Sequence, residues 1–183
     1  MTIGLLRHFK VDFVPRKKIY SASDFSNAME KYESSPVIRK DIKLNSDEWD
    51  VCYSSTIPRA VETAKSIYNK EIIFTNHIIE VPVAPFTNRN IKLPSFIWHL
   101  GGRIAWHKNH HSQPEKRIET LERIRRFIEE LKQHNYERVL VVTHGFFMRV
   151  FVEQLIKIGY RGAIDVRPQN AKLYLFQKRN AGV

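Results

Sequence analysis

The chain has 183 residues, of which 43% are hydrophobic and 27% are charged, a balance typical of a globular protein with one sizeable core. No apolar run approaches the roughly 18 residues that a membrane-spanning helix needs, and the single cysteine, Cys52, excludes an internal disulfide. Both features predict a cytoplasmic protein. The formal net charge of +11 favours anionic ligands such as phosphate esters, nucleic acid or an acidic membrane surface, although a solvated basic face gives the same charge.

The first half of the chain contains three short apolar runs that predict buried strands. These runs are Thr2 to Leu6, Val51 to Tyr53 and Glu71 to Phe74. Between the first two, the polar and basic stretch from Val14 to Asn45 predicts a short helix within loops. After the second, Pro58 fits the first turn of a helix.

The second half begins with an irregular segment, rich in proline, glycine and aromatic residues, that predicts an inserted cap at about 81–114. Beyond it the apolar spacing predicts two helices and two strands. In chain order these are a helix from Ile118 to Leu131, a strand from Arg138 to Thr143, a helix from Phe146 to Ile158 and a strand from Lys172 to Gln177. This alternation predicts an α/β fold, a three-layer α/β/α sandwich with a mostly parallel central sheet, as one domain over residues 1–183.

Three of the predicted strands end in residues suited to phosphate chemistry. The first runs into Arg7 and His8, the second is followed by Arg59, and the strand ending at Thr143 runs into His144. Ligands of open α/β sheets bind beyond the carboxyl ends of strands, so these side chains are expected to converge. Arginine matches a phosphoryl group with paired hydrogen bonds, and a neutral histidine attacks phosphorus. Each element alone also has an ordinary explanation, as a surface pair, a turn or a helix cation.

The same stretches carry a family resemblance. They are LLRHFK at Leu5 to Lys10, SSTIPRAVETA at Ser54 to Ala64 and VLVVTHGFFMR at Val139 to Arg149. In order and spacing they resemble the motifs of the histidine phosphatase superfamily, also called the phosphoglycerate mutase-like family. The resemblance implies a phosphatase that hydrolyses phosphate monoesters through a phosphohistidine, with no cofactor and no metal.

Carried over by position, the resemblance implies that His8 is the nucleophile. It implies that Arg7, Arg59 and His144 hold the phosphoryl oxygens, His144 belonging to the catalytic set as well. The general acid of the family often follows the third strand, and Glu80 stands there.

Two other carboxylates are rivals for the acid. Glu71 begins the third strand rather than ending it, and Asp12 follows the nucleophile closely. A surface carboxylate at a strand end is the ordinary explanation of Glu80.

One residue departs from the family pattern, because Phe9 replaces the glycine that follows the nucleophile. The bulky side chain either shapes the pocket or marks lost activity. The alternatives to an active phosphatase are therefore a non-catalytic module of the same fold that binds phosphorylated ligands, and a phosphomutase. Because the other motif residues remain, an active enzyme is the favoured hypothesis.

The predicted cap contains no Asp or Glu. Its basic residues are Arg89, Lys92, Arg103, Lys108, His99, His107, His110 and His111. They predict either an electropositive lid that recruits a phosphorylated anion or a solvated basic surface. A mobile loop gives metal ligands little support, so a site at the clustered histidines is disfavoured. Trp98 and Trp106 favour a cap core over a base-stacking platform. We expect a phosphorylated anionic substrate as the partner, and neither a membrane nor nucleic acid.

Overall fold

The computed structural model describes residues 1–178. Its strands are β1 (Thr2–Arg7), β2 (Lys10–Val11), β3 (Ile19–Tyr20), β4 (Val37–Ile38), β5 (Val51–Ser55), β6 (Ile72–Thr75), β7 (Leu93–Pro94), β8 (Arg138–Thr143), β9 (Tyr160–Arg161) and β10 (Leu173–Lys178). Its α-helices are α1 (Ala22–Ser34), α2 (Pro58–Ile67), α3 (Ser95–His107), α4 (Arg117–Gln133) and α5 (Gly145–Lys157). Short 3₁₀ turns cover Ser46–Glu48 and Asn76–Ile78.

The central sheet has six strands in the order β6-β5-β8-β1-β10-β9. Strands β6, β5, β8 and β1 run parallel, whereas β10 is antiparallel to β1 and β9 is antiparallel to β10. Helices flank this mixed, mostly parallel sheet, so the predicted α/β class is confirmed. In β8 the run from Val139 to Thr143 is buried throughout, as expected for a strand that is covered on both faces.

The chain folds into two compact units. The first comprises Met1–Lys10, Val37–Glu80 and the chain from Arg123 onward, and it contains the six-stranded sheet. The second comprises Val11–Pro36 and Val81–Glu122. The predicted cap, at about 81–114, is thus one part of the second unit, and the stretch from Val11 to Pro36 supplies the other.

The second unit has its own small core. Tyr20 and Phe25 pack against Trp98 of α3, and the indole Nε1–H of Trp98 donates to the backbone oxygen of Tyr20 at 2.8 Å. Trp106 is also buried, and its indole N–H donates to Thr120 Oγ1 at 3.0 Å. Both tryptophans therefore belong to the interior of this unit, as the sequence predicts.

Element boundaries shift by a few residues from the sequence predictions. The helix expected within 14–45 is α1, whose first turn carries a capping box between Ser21 and Asp24. Strand β6 begins at Ile72, so Glu71 precedes it. No helix in the described part of the chain is long and apolar enough to cross a membrane.

Candidate active site

The backbone of Arg7 and His8 is fixed at the carboxyl end of β1. This strand lies between β8 and β10 in the centre of the sheet, which is why its apolar residues are fully buried. The His8 N–H donates to the Thr143 oxygen at 2.9 Å, and the Arg7 oxygen accepts the Ala171 N–H at 2.9 Å. Neighbouring strands on both sides therefore hold the two residues in place.

The ring of His8 has a defined tautomer. Its Nδ1 lies 2.6 Å from the backbone oxygen of Phe9, and a carbonyl only accepts, so Nδ1 carries the proton and Nε2 keeps a lone pair. Nε2 has no hydrogen-bond partner among residues 1–178. Burial, together with the positive charges of Arg59 and Arg7, lowers the pKa of His8 to about 3. The ring is therefore neutral at ordinary pH, as a nitrogen nucleophile requires.

Phe9 points its side chain into the protein interior. The ring is 1% exposed and belongs to the core cluster that contains Leu6 and Cys52. Its backbone remains available: the N–H donates to Thr63 Oγ1 at 2.9 Å, and the oxygen accepts from His8 and from Asn170 Nδ2 at 3.3 Å. The packing of Phe9 thus gives no support to the hypothesis that its side chain blocks attack.

Asn170 and Thr63 hold the backbone at His8 and Phe9 from two other parts of the chain. Asn170 Nδ2 donates to the His8 backbone oxygen at 2.7 Å as well as to that of Phe9. Thr63 Oγ1 accepts from Phe9 and donates to the Arg59 backbone oxygen at 2.7 Å. The loop that carries His8 is thereby tied to α2 on one side and to the segment before β10 on the other.

His144 follows β8 and forms the N-cap of α5. Its Nε2 lies 2.8 Å from Ser55 Oγ, which also accepts the Ile57 N–H at 3.2 Å. Ser55 is fully buried, and His144 Nε2 is the one acceptor within reach of its hydroxyl among the described residues, so the hydroxyl donates to Nε2 and the neutral ring is protonated at Nδ1. That N–H is buried and has no hydrogen-bond partner among the described residues.

The two histidines are neighbours. The ring centroids of His8 and His144 lie 5.1 Å apart. Burial, followed by the effects of His8 and the nearby arginines, holds the pKa of His144 well below its usual value. The pair therefore presents one nitrogen lone pair and one N–H donor without a positive charge on either ring.

Two arginines, the buried Arg59 and the half-buried Arg7, supply the positive charge. Arg59 is 4% exposed in the first turn of α2, and its charge acts on both imidazoles. Arg7 is held by a 2.7 Å hydrogen bond from Nη1 to the Pro168 oxygen, while its buried Nε–H has no partner within the described chain. A Cβ atom at Gly145 would lie 3.0 Å from Cζ and Nε of Arg7, so the glycine lets α5 begin against the guanidinium.

Glu80 also contacts the start of α5. Its carboxylate accepts the backbone N–H of Phe147 at 2.8 Å and that of Phe146 at 3.2 Å. The side chain therefore lies at the same helix turn as His144, with its carboxylate at the positive end of the helix dipole. The rival Glu71 is exposed at the amino end of β6, away from the edge at which the parallel strands end. Asp12 belongs to the second unit.

The basic residues of the predicted cap are not equivalent. Arg103 donates from Nη1 to the backbone oxygens of Val81 at 2.9 Å and Pro82 at 3.2 Å, whereas Arg89, Lys92 and Lys108 are exposed. The remaining basic residues of the cap are four histidines. The ring centroid of His99 lies 5.0 Å from that of Phe25, and the ring centroids of His110 and His111 lie 4.2 Å apart. His107 is exposed. Among residues 1–178 no cluster of three or more His, Cys, Asp or Glu side chains is arranged to hold a metal ion.

All five residues singled out from the sequence belong to the first unit: Arg7, His8, Arg59, Glu80 and His144. The structure adds Ser55, Thr63, Gly145 and Asn170, which orient them. Ser55, Thr63 and Gly145 stand within the motifs, although the motifs alone assign them no contact. Nothing near Asn170 in the sequence signals its bonds to the His8 loop. Chemically, the arrangement can hold an oxyanion against a neutral histidine nitrogen.

Comparison with known proteins points in the same direction. A sequence model of the histidine phosphatase superfamily (branch 1) matches residues 41–182. No curated protein matches the chain in sequence.

Among solved structures, a mycobacterial glucosyl-3-phosphoglycerate phosphatase matches with a TM-score of 0.57 and 18% identity, over 95% of this chain and 88% of that one. A phosphoserine phosphatase from Entamoeba histolytica matches with a TM-score of 0.54 and 16% identity, over 97% of this chain and 91% of that one. The α-ribazole phosphatase from Shigella flexneri matches with a TM-score of 0.52 and 16% identity, over 95% of this chain and 96% of that one. At these identities the likeness concerns the fold.

Proposed function

The chain belongs to the histidine phosphatase superfamily (branch 1), and from this premise we propose that it hydrolyses phosphate monoesters through a phosphohistidine on His8. The observation that carries the proposal is the complementary protonation of two adjacent imidazoles. His8 keeps its lone pair on Nε2, and His144 keeps its hydrogen on Nδ1. The first suits attack on phosphorus and the second suits donation to a phosphoryl oxygen.

In the first step Nε2 of His8 attacks phosphorus, and the bond from phosphorus to the ester oxygen breaks. Arg7, Arg59 and His144 hold the three other oxygens, whose charge is spread in the transition state. The bond between His8 Nδ1 and the Phe9 oxygen stabilises the ring as it becomes positively charged. The departing alkoxide takes a proton from the carboxyl group of Glu80 and leaves as an alcohol.

In the second step a water molecule attacks the phosphohistidine. The Glu80 carboxylate accepts a proton from this water, the bond from phosphorus to nitrogen breaks, and inorganic phosphate and neutral His8 result. Glu80 suits this role through its place beside His144. When the Glu80 carboxylate takes up a proton during turnover, it gives up the hydrogen bonds from the backbone N–H groups of Phe146 and Phe147. The three similar structures described above are all phosphatases by name, which supports hydrolysis as the reaction.

The test is turnover of an aryl phosphate by the purified protein and by two histidine variants. We expect His8→Ala to abolish hydrolysis, since no other group replaces the covalent step. His134→Ala, at an exposed position of the same unit, is the matched control and should retain full activity. Rapid quenching under alkaline conditions with labelled substrate should trap phosphate on His8. An active His8→Ala variant, or label on another residue, contradicts the mechanism.

A further inference from the structure

Helix α3 is apolar on two opposite faces. One face carries Trp98, Gly102, Ala105 and Trp106, which are buried within the second unit. On the opposite face Phe96 is 66% exposed, Leu100 56% and Ile104 49%. These three side chains, called here the α3 stripe, are spaced four residues apart and so form one continuous row. A helix that is apolar all round normally has both faces covered.

The surroundings of the α3 stripe carry positive charge. Lys92 lies before the helix and Lys108 directly after it, and both are exposed. The whole segment from 81 to 114 contains no Asp or Glu. A carboxylate farther along the same unit, Glu119, is engaged with the Lys116 N–H at 2.7 Å. An apolar row with a lysine beyond each of its ends, in a segment without carboxylates, is the pattern of a protein face that inserts into an anionic lipid surface.

We propose that the α3 stripe docks on the surface of a membrane that contains anionic phospholipids. Phe96, Leu100 and Ile104 enter the boundary between headgroups and acyl chains, while Lys92 and Lys108 meet the lipid phosphates. The protein lies on the bilayer and does not cross it, which agrees with the lack of a spanning helix in the described residues. Surface docking departs from the sequence-based expectation of no membrane partner and takes up the acidic membrane surface that the net charge also favours. It does not depend on the proposed phosphatase activity.

A second copy of the chain is a poorer occupant. A two-fold pair of α3 helices that run antiparallel about Leu100 brings Lys92 of one copy to Lys108 of the other, at both ends. A parallel pair brings Lys92 of one copy opposite Lys92 of the other, and likewise Lys108 opposite Lys108. Both of these pairings therefore set positive charges against each other, which opposes association.

A specific protein partner also fits less well. Protein interfaces typically have about one hydrogen bond per 100–200 Å². The side chains of the α3 stripe offer no hydrogen-bonding group, and Arg103 on the same helix already donates to Val81 and Pro82. A row that offers only apolar atoms and cations lacks the means to select one folded partner, but it suits a lipid surface.

Co-sedimentation with vesicles tests the proposal. We expect binding to vesicles of phosphatidylserine mixed with phosphatidylcholine and little binding to phosphatidylcholine alone. Replacing the α3 stripe through Phe96→Ser, Leu100→Ser and Ile104→Ser should weaken binding at least about tenfold, because three apolar insertions are lost. The matched control replaces Val14, Ile38 and Val166 by serine, since these exposed apolar residues lie outside the α3 stripe. Circular dichroism verifies that each variant is folded.

Two further readouts separate the occupants. Phe96→Trp adds a fourth tryptophan, in the α3 stripe, and the emission of the variant minus that of the wild type should shift to shorter wavelength on addition of phosphatidylserine vesicles. Sedimentation velocity without lipid should show the same species for the wild type and the serine variant of the stripe. Equal vesicle binding by the stripe and control variants overturns the proposal. It is also overturned if the wild type sediments as a dimer that the stripe substitutions dissociate, or if vesicles leave the emission of the Phe96→Trp variant minus that of the wild type unchanged.

Discussion

At the scale of single residues, the site depends on where two protons reside. The Phe9 carbonyl places one on Nδ1 of His8, and the Ser55 hydroxyl places the other on Nδ1 of His144. His8 therefore presents a lone pair at Nε2, whereas His144 presents an N–H donor at Nδ1. Both rings are buried beside arginines, which makes a positive charge on either of them costly.

This arrangement predicts a loss of stability in acid. In the folded protein the pKa of His8 is about 3, against 6.5 for an unperturbed histidine. Between these values the unfolded chain binds more protons, so stability is full above about pH 6.5 and falls as the pH decreases toward 3. Each such ring adds a slope of up to about 1.4 kcal/mol per pH unit to the free energy of unfolding.

Urea denaturation at several pH values between 5 and 7 measures this slope. We expect His8→Asn to flatten it, since the variant has one buried imidazole fewer. The same substitution at exposed His107 serves as the control for loss of an imidazole. An unchanged slope in His8→Asn would show that the acid sensitivity arises elsewhere.

Gly145 makes a second prediction at this scale. A methyl group there would meet the Arg7 guanidinium at 3.0 Å, so Gly145→Ala should displace a phosphate ligand and lower kcat/KM by about one to two orders of magnitude. Gly159→Ala is the contrasting control. Gly159 has φ +92° and open space around it, so alanine there costs about 1 kcal/mol of stability without touching the site. Steady-state kinetics with thermal melts distinguishes the two; equal activities in both variants would argue against a close Arg7–Gly145 contact.

At the scale of elements, the start of α5 joins stability to chemistry. Glu80 caps two amides of this helix and is also the proposed acid. We expect Glu80→Gln to lower the melting temperature, as loss of a carboxylate from a helix N-terminus does. Hydrolysis of alkyl phosphates should fall by about 10²–10⁴-fold, and that of aryl phosphates much less, because a phenolate leaves without a proton.

Comparison of both substrates and of melting curves separates the two roles of Glu80. Equal losses on alkyl and aryl phosphates would leave Glu80 as a helix cap only. Asp12 would then be the next residue to replace. Glu71 would be a weaker choice, because it lies at the amino end of β6.

The strand ends at the site could be predicted from the sequence, whereas contacts between distant segments could not. Strands β1, β5 and β8 were predictable because each is a buried run that ends in a motif, and parallel strands bring such ends to one edge. The second unit was predicted only in part. The segment 11–36 is polar, and its association with 81–122 depends on the packing of Phe25 and Tyr20 against Trp98. Local periodicity carries no information on such distant contacts, and the same holds for Asn170, which is 162 residues from His8.

At the scale of the whole molecule, the excess of positive charge predicts a dependence on salt. Arg103 anchors backbone oxygens, so the neutralising variant should combine Arg89→Gln, Lys92→Gln and Lys108→Gln and leave Arg103 intact. We expect a lower kcat/KM for a polyanionic phosphate ester and little change for a singly phosphorylated neutral one. The difference should shrink with salt, as the screening length falls from about 10 Å at 0.1 M to about 3 Å at 1 M. Equal effects on both substrates would identify these cations as solvated surface charges.

The position of β1 in the sheet has a consequence for protein synthesis. His8 leaves the ribosome long before the two neighbours of β1, strands β8 and β10, have been made. The hydrogen bonds from Asn170 and Ala171 that fix the histidine loop form only once translation has passed those two residues. Until then the His8 loop of the nascent chain lacks these bonds, and a ribosome that stalls before residue 170 releases a fragment in which they cannot form.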